Sequence, residues 1–101
     1  MRKTYYLLNA FSFQMLDTAN NKSGKVVYEV VDSLPPLNTL MSAIGHADTA
    51  AVLGVPMNRV NVKLGKGDTA YVAQLVGGRL PEGATTLPSG FSFTFIKVTI
   101  E

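Results

Sequence analysis

His46 is the residue whose type points most directly to chemistry. It is the one histidine of the chain, and histidine is the side chain best suited to exchange a proton near neutral pH. Gly45 lets a ligand approach the backbone closely, and a helix that begins at Asp48 or Thr49 would direct N–H groups toward a phosphate beside His46. A histidine that serves only as a polar cap at a helix end explains the same residues equally well.

A guanidinium and a carboxylate stand three residues apart in the segment 77–83, which is rich in glycine and stiffened by Pro81. Arg79 in such a loop could bind a phosphate through two parallel hydrogen bonds, with Glu82 held over the same ligand. Taken alone, the two side chains are more typical of an ion pair on the surface, which contributes little to stability.

Four further polar side chains are candidates for ligand contacts. Arg59 shares the polar face of a predicted strand with Lys63, a basic strip that suits a short polyanion but is more typical of a solvated strand. Gln74 is the single amide of an apolar segment and could recognise a base edge or satisfy nearby backbone groups. Asn9 and Ser12 lie where a strand leads into a helix, a common place for ligand contacts that helix capping explains equally well.

The composition makes several classes of function improbable. Nine Lys and Arg residues against seven Asp and Glu residues give a net charge of +2, too little to predict long nucleic acid as a partner. With no cysteine and a single histidine, a conventional zinc site is not expected, so we predict no metal and no cofactor. The apolar run at residues 5–8 is too short for a signal peptide or a membrane span, so we expect a cytoplasmic protein with no membrane partner.

The hydrophobic pattern predicts one domain, residues 1–101, built on a mixed sheet. The nearly continuous valines of residues 26–31 predict a strand that is buried on both faces. The alternation at residues 58–64 predicts a half-exposed strand, which a tight turn at residues 65–68 joins to the next strand as a hairpin. The predicted strands are residues 4–8, 26–31, 58–64, 69–76 and 91–100, the last of them in the interior of the sheet.

Short helices are predicted between these strands. Asn9 caps a helix at residues 10–16, and a third helix at residues 49–53 ends at Gly54. The second helix begins at Pro36 and runs through Leu37, Leu40, Met41 and Ile44. His46 is therefore expected at a junction between two helices, and residues 77–90 form an irregular loop. The predicted fold class is α/β (α+β), a mixed sheet of about five strands flanked by short helices.

Four short motifs follow one another along the chain: Asn9-Ala10-Phe11-Ser12 with Met15-Leu16, Ile44-Gly45-His46, Asn58-Arg59-Val60, and Arg79-Leu80-Pro81-Glu82-Gly83. In this order and with this spacing they resemble the viral anti-CRISPR ring nuclease family, which acts against type III CRISPR immunity. The resemblance covers nearly the whole chain. It departs from the family at Pro81, where relatives often carry an acidic or other polar residue, and this departure bears on the mobility of the loop.

The resemblance implies a homodimer that binds cyclic tetra-adenylate in a pocket on its two-fold axis. It implies a metal-independent phosphodiesterase that cleaves this cyclic oligoadenylate to linear di-adenylates and so switches off type III CRISPR signalling. The family's catalytic residues correspond to His46, Arg79 and Glu82. Its ligand contacts correspond to Asn9, Ser12, Arg59 and Gln74, and Gly45 would bring its backbone close to the ligand.

Two rival hypotheses belong to other classes. The first is a non-catalytic module, or sponge, that sequesters a cyclic nucleotide or a short RNA without cutting it. The second is an interaction protein in which Arg79 and Glu82 contact only a protein partner. The sequence does not determine whether the source is a virus or a cell, and ring size is implied by the resemblance alone.

Overall fold

Five strands form one mixed sheet in the computed structural model, which describes residues 5–11, 15–16 and 25–101. The strands are β1 (Tyr5–Leu8), β2 (Val26–Val31), β3 (Leu40–Ser42), β4 (Thr69–Val76) and β5 (Ser92–Ile100). The described ranges also contain one α-helix, α1 (Ala47–Leu53), and a 3-10 turn at Leu37–Thr39. The predicted α+β class with about five strands is confirmed.

The order of the strands in the sheet is β2-β5-β4-β1-β3. β1 pairs in parallel with both β3 and β4, whereas β5 runs antiparallel to both β2 and β4. The prediction that the last strand lies in the interior is therefore confirmed. Because β1 and β3 are parallel, their C-terminal ends lie at the same end of the sheet. The residues that follow the two strands therefore lie close together there.

The helix predicted from Pro36 to Ile44 is wrong. Its first residues form the 3-10 turn, in which the N–H of Thr39 donates to the carbonyl of Pro36 at 2.9 Å, and the chain then becomes β3. β3 gains a parallel partner in β1, with Tyr5 beside Leu40. An apolar run this short is compatible with either element, and the sheet edge, a tertiary feature, decides between them.

The predicted hairpin between residues 58–64 and β4 is also wrong. Within the described ranges, residues 58–64 contribute only an isolated bridge between Leu16 and Leu64, and β4 takes β5 as its antiparallel partner. The alternation of the segment is partly preserved, because Val62 and Leu64 are buried while Val60 is exposed. The tight turn is present, since the N–H of Asp68 donates to the carbonyl of Gly65 at 3.0 Å. It leads into β4, but the segments before and after the turn do not pair with each other.

The prediction that the valine-rich strand is buried on both faces is wrong as well. β2 lies at the edge of the sheet, where Tyr28 is 73% and Val30 is 65% exposed. Continuous apolarity does predict burial for a central parallel strand, but β2 is antiparallel to its single neighbour in the sheet. Its outer apolar side chains consequently form part of an open apolar surface.

The core lies on both faces of the sheet. One buried cluster includes Leu8, Val72 and Val98, and the segment 58–64 contributes to it. The other includes Leu7, Ile44 and Tyr71, together with Ala50 of α1. The two alternating faces of β1 and β4 thus belong to different clusters, as the period of a strand requires. In the ranges described, no helix has both the length and the apolarity needed to cross a membrane.

Candidate functional site

His46 caps the N-terminus of α1. Its backbone is extended, with φ −117° and ψ 120°, and its Nδ1 accepts a hydrogen bond from the N–H of Thr49 at 3.5 Å. The predicted third helix is confirmed, and it ends at Gly54 with a left-handed φ of 79°. The position predicted for His46, between two helices, is wrong, because β3 precedes it. The helix begins at Ala47, before the predicted Asp48 or Thr49, and the N–H of Thr49 donates to the His46 ring.

His46 and Arg79 line one cavity of about 350 Å³. The remaining lining residues come from the end of β1, from β4, from α1 and from the loop after β4; they are Asn9, Ala73, Leu75, Thr49, Gly78 and Leu80. The His46 and Arg79 side chains are both exposed, whereas Thr49 is buried. The cavity therefore places an imidazole and a guanidinium at one solvent-accessible surface, a combination that suits an anionic ligand.

The loop at residues 77–90 is irregular, as predicted, and it is anchored at three places. Gly77 stands against the far end of the loop, where an added Cβ would lie 2.9 Å from the carbonyl oxygen of Gly90. Leu80 is 5% exposed and enters the protein interior. The N–H of Gly83 donates to Oδ1 of Asp48 at 3.2 Å. These anchors hold the backbone on both sides of Arg79 while the guanidinium stays accessible.

Arg59 contacts the turn that leads from β3 to His46. Its Nε donates to the carbonyl of Gly45 at 2.9 Å, and a Cβ added to Gly45 would lie 3.3 Å from the Cγ of Arg59. The preceding residue holds the same turn, because Nδ2 of Asn58 donates to the carbonyl of Ser42 at 2.8 Å. Arg59 thus contacts the backbone next to His46, although it does not line the cavity.

A second cavity of about 550 Å³ opens on the opposite face of the sheet. Its lining is mostly apolar and without charge: Ala10, Phe11, Val26, Tyr28, Val72, Ile96 and Val98 accompany Asn9 and Gln74. Gln74 is exposed and lies here, away from His46. Asn9 lines both cavities, so the two surfaces meet at the end of β1.

The structure brings together some of the predicted site residues and separates others. His46, Arg79 and Asn9 share the smaller cavity, and Gly45 with Arg59 adjoins it. Glu82 is exposed in the loop and does not line that cavity. Ser12 lies outside the described residues, as do residues 13–14 of the helix predicted at residues 10–16. The described ends of that helix are wrong, because residues 10–11 are irregular and Leu16 forms a bridge with Leu64. The roles assigned to all these residues stay predictions.

Sequence reasoning missed two residues that shape the site. The sequence pattern suggests Thr49 only as a possible start of α1, yet it is buried and contacts the His46 ring. The pattern suggests Asp48 in the same way, yet its carboxylate accepts a hydrogen bond from the loop that carries Arg79. The signal for Thr49 was its place three residues after a capping residue, where a helix N–H is available to the cap. Nothing local could indicate Asp48, whose partner is Gly83.

Metal-binding side chains do not cluster in the part of the chain that the structure describes: no three of its His, Cys, Asp and Glu residues come together. The expectation of metal-independent chemistry stays a prediction, since it concerns a reaction and its ligands. The site as described consists of one imidazole, one guanidinium, amide and hydroxyl groups, and apolar walls.

The fold and the cavity define a small α+β protein whose polar site lies where parallel strands end, next to the start of a helix and a long loop. The chain belongs to the STIV B116-like family, whose model matches residues 5–91. Its structure is similar to that of B116 of Sulfolobus turreted icosahedral virus, with a TM-score of 0.70 and 24% sequence identity over 96% of this chain and 99% of the viral protein. No curated protein matches the chain significantly.

Proposed function

We propose that this protein is a metal-independent ring nuclease that binds cyclic tetra-adenylate across a homodimer and cleaves it to linear di-adenylates. The observation that carries the proposal is the shared cavity of His46 and Arg79. It is supported by the resemblance of four sequence motifs to ring nucleases. In the cytoplasm of a cell with type III CRISPR immunity, this activity would remove the second messenger and switch off the signal.

The reaction that suits these residues is attack by the substrate's own ribose. If the cavity holds one linkage so that the 2′-hydroxyl, the phosphorus and the departing 5′-oxygen are in line, the attack becomes effectively unimolecular. The products are a 2′,3′-cyclic phosphate and a free 5′-hydroxyl. His46 protonates the departing oxygen, a contribution of about 10² to 10⁴ in rate.

Arg79 neutralises the charge that grows on the non-bridging oxygens in the transition state. Its guanidinium is exposed at the cavity while the backbone around it is anchored by Leu80 and Gly83, so the backbone that carries it is in place before the ligand arrives. Glu82 belongs to the same loop and would bear on the ribose or on Arg79. Its part in catalysis requires the ligand to draw it toward the cavity.

A homodimer matches the symmetry of the ligand. A ring of four equal nucleotides contains a two-fold axis, so two copies can each present His46 to one of two opposite linkages. We place the second copy on the uncharged face around Tyr28 and Ile96, because this face is exposed and shares Asn9 with the catalytic cavity. The ring would then contact residues of both cavities, Gln74 among them.

The test is a single-turnover incubation with labelled cyclic tetra-adenylate, comparing the native protein with His46→Ala and His46→Asn. Alanine removes the imidazole and the helix cap together, whereas asparagine is itself a favoured cap. We expect both variants to bind the ring and both to lose most of the cleavage. His46→Asn keeps the native stability more closely and excludes unfolding as the cause of the loss.

Four outcomes contradict the proposal in different ways. Unimpaired cleavage by His46→Asn removes His46 from the mechanism. A ring that the native protein binds and returns intact favours the non-catalytic sponge, and absence of binding favours an interaction protein. Loss of activity in a metal chelator overturns the metal-independent mechanism alone.

A further inference from the structure

Thr49 contacts the one nitrogen of His46 that the proposed chemistry does not use. Its Oγ1 lies 3.4 Å from Nδ1 of the ring, and its backbone nitrogen lies 3.5 Å from the same atom. Thr49 is 7% exposed and lines the cavity beside His46. The contact is therefore part of the site and is largely shielded from solvent.

The two groups of Thr49 differ in what they can offer the ring. The backbone N–H only donates, so it requires Nδ1 to carry no proton. In the neutral ring the proton then sits on Nε2, because the hydrogen bond at one nitrogen fixes the tautomer at the other. The hydroxyl both donates and accepts. It is the group that can remain bonded to Nδ1 when the ring gains a second proton and Nδ1–H becomes a donor.

We propose that Thr49 is a positioning residue for His46, which holds the ring through both of its protonation states by reversing the hydroxyl hydrogen bond. This inference rests on the proposed function. As the 2′-oxygen bonds to phosphorus, its proton passes to water, and the bond from phosphorus to the 5′-oxygen breaks. The Nε2 proton of the charged ring moves to the departing oxygen. The ring is left neutral, and its remaining proton, on Nδ1, is donated in a hydrogen bond to Oγ1 of Thr49. A proton from solvent then binds Nε2 and restores the charged ring.

Three charged side chains lie on the segments next to His46. Asp48 lies on the same helix, Arg79 faces the cavity from the loop, and Arg59 binds the carbonyl of Gly45 behind the ring. Replacing Thr49 by valine keeps the shape of the side chain and leaves each of these charges in place. A change in Thr49→Val is accordingly a property of the hydroxyl, and Thr49→Ser restores the hydroxyl without the methyl group.

The experiment combines kinetics with ¹⁵N NMR of the imidazole, which is free of overlap because the chain has one histidine. In single-turnover cleavage of labelled cyclic tetra-adenylate we expect Thr49→Val to be about tenfold slower. This loss is smaller than the roughly 10²-fold or more that removal of a positioned acid costs, because the imidazole itself stays in the site. Thr49→Ser should cleave within about twofold of the native rate, and both variants should bind the ring as the native protein does. In the neutral ring, the Nδ1 resonance should move downfield in Thr49→Val and stay in place in Thr49→Ser.

A native rate in Thr49→Val overturns the inference. A slow Thr49→Ser overturns it too, since packing of the methyl group would then be the cause. If the native protein leaves the ring intact, the proposed function fails and the catalytic role of Thr49 fails with it. In that case the NMR comparison still decides the contact, because the Nδ1 shift is measured without substrate.

Discussion

Oδ1 of Asp48 accepts a hydrogen bond of 3.2 Å from the backbone N–H of Gly83, which lies 35 residues further along the chain. Asp48 is in the first turn of α1, the helix that His46 caps. Gly83 is in the loop that carries Arg79. One exposed hydrogen bond therefore joins the two segments whose side chains meet in the cavity, although the sheet positions each segment independently.

Replacing Asp48 separates the hydrogen bond from the charge. Asp48→Asn keeps an oxygen acceptor and loses the charge, whereas Asp48→Ala loses both. Because the bond is exposed, we expect Asp48→Ala to be less stable than Asp48→Asn by about 0.5 kcal/mol. The Gly83 amide should exchange hydrogen faster in Asp48→Ala alone. Equal exchange in the native protein and both variants would show that the bond does not hold the loop.

Replacing Arg79 tests the electrostatic part of the mechanism. Arg79→Ala should lower both affinity for cyclic tetra-adenylate and cleavage, the latter by about 10²-fold, as the loss of one transition-state donor does. Arg79→Lys keeps the charge but not the two-pronged geometry, so an intermediate rate is expected. Lys66→Ala, which removes an exposed cation outside the cavity, is the control. Normal binding with normal turnover in Arg79→Ala would refute the role of this residue.

A charge on the apolar face tests where the second copy docks. Tyr28 is 73% exposed, so Tyr28→Glu should fold, but two buried glutamates would oppose each other at a two-fold interface. We expect this variant to sediment as a monomer and to lose ring cleavage. Met57→Glu, at a side chain that is 49% exposed and lines neither cavity, is the matched control. A dimeric Tyr28→Glu would place the interface elsewhere.

The contact between Gly45 and Arg59 predicts a non-additive pair of substitutions. The backbone of Gly45 lies outside the left-handed region, so alanine there should stabilise by about 0.4–1 kcal/mol through the unfolded state. In the native background the new Cβ meets Cγ of Arg59 at 3.3 Å, which offsets that gain. Gly45→Ala should therefore stabilise the protein only together with Arg59→Ala. Urea unfolding of all four proteins measures the coupling, and equal effects in both backgrounds would exclude it.

Gly77 and Gly54 provide a matched comparison of backbone strain. Gly77 has a φ of 119°, and an added Cβ would meet backbone atoms of Gly90 and Phe91 at 2.9 and 3.0 Å. Gly54 has a φ of 79° with open space around it. We expect Gly77→Ala to lower the free energy of unfolding by about 2–4 kcal/mol and Gly54→Ala by about 1–2 kcal/mol. Equal losses in urea unfolding would show that the base of the loop relaxes.

The cavity residues show how far local reasoning reaches. His46 and Arg79 could be selected from their side-chain chemistry, because proton exchange and phosphate binding are properties of the groups themselves. Their meeting in one cavity could not be predicted from spacing. It depends on the parallel strands β1, β3 and β4, whose C-terminal ends lie at the same end of the sheet. Gln74 and Glu82 were selected on the same kind of evidence, and the fold leaves both outside this cavity.

The sequence by itself determined the mixed character of the fold, the valine-rich β2, the terminal β5, the short helix that ends at Gly54 and the irregular loop. These features depend on side-chain periodicity and on backbone preferences, which act within a few residues. Only the tertiary structure decided that residues 40–42 join the sheet, that residues 58–64 do not pair with β4, and that β2 is an exposed edge. These pairings depend on which segments, distant in sequence, come close enough to exchange backbone hydrogen bonds. A pattern of a few neighbouring residues does not contain this information.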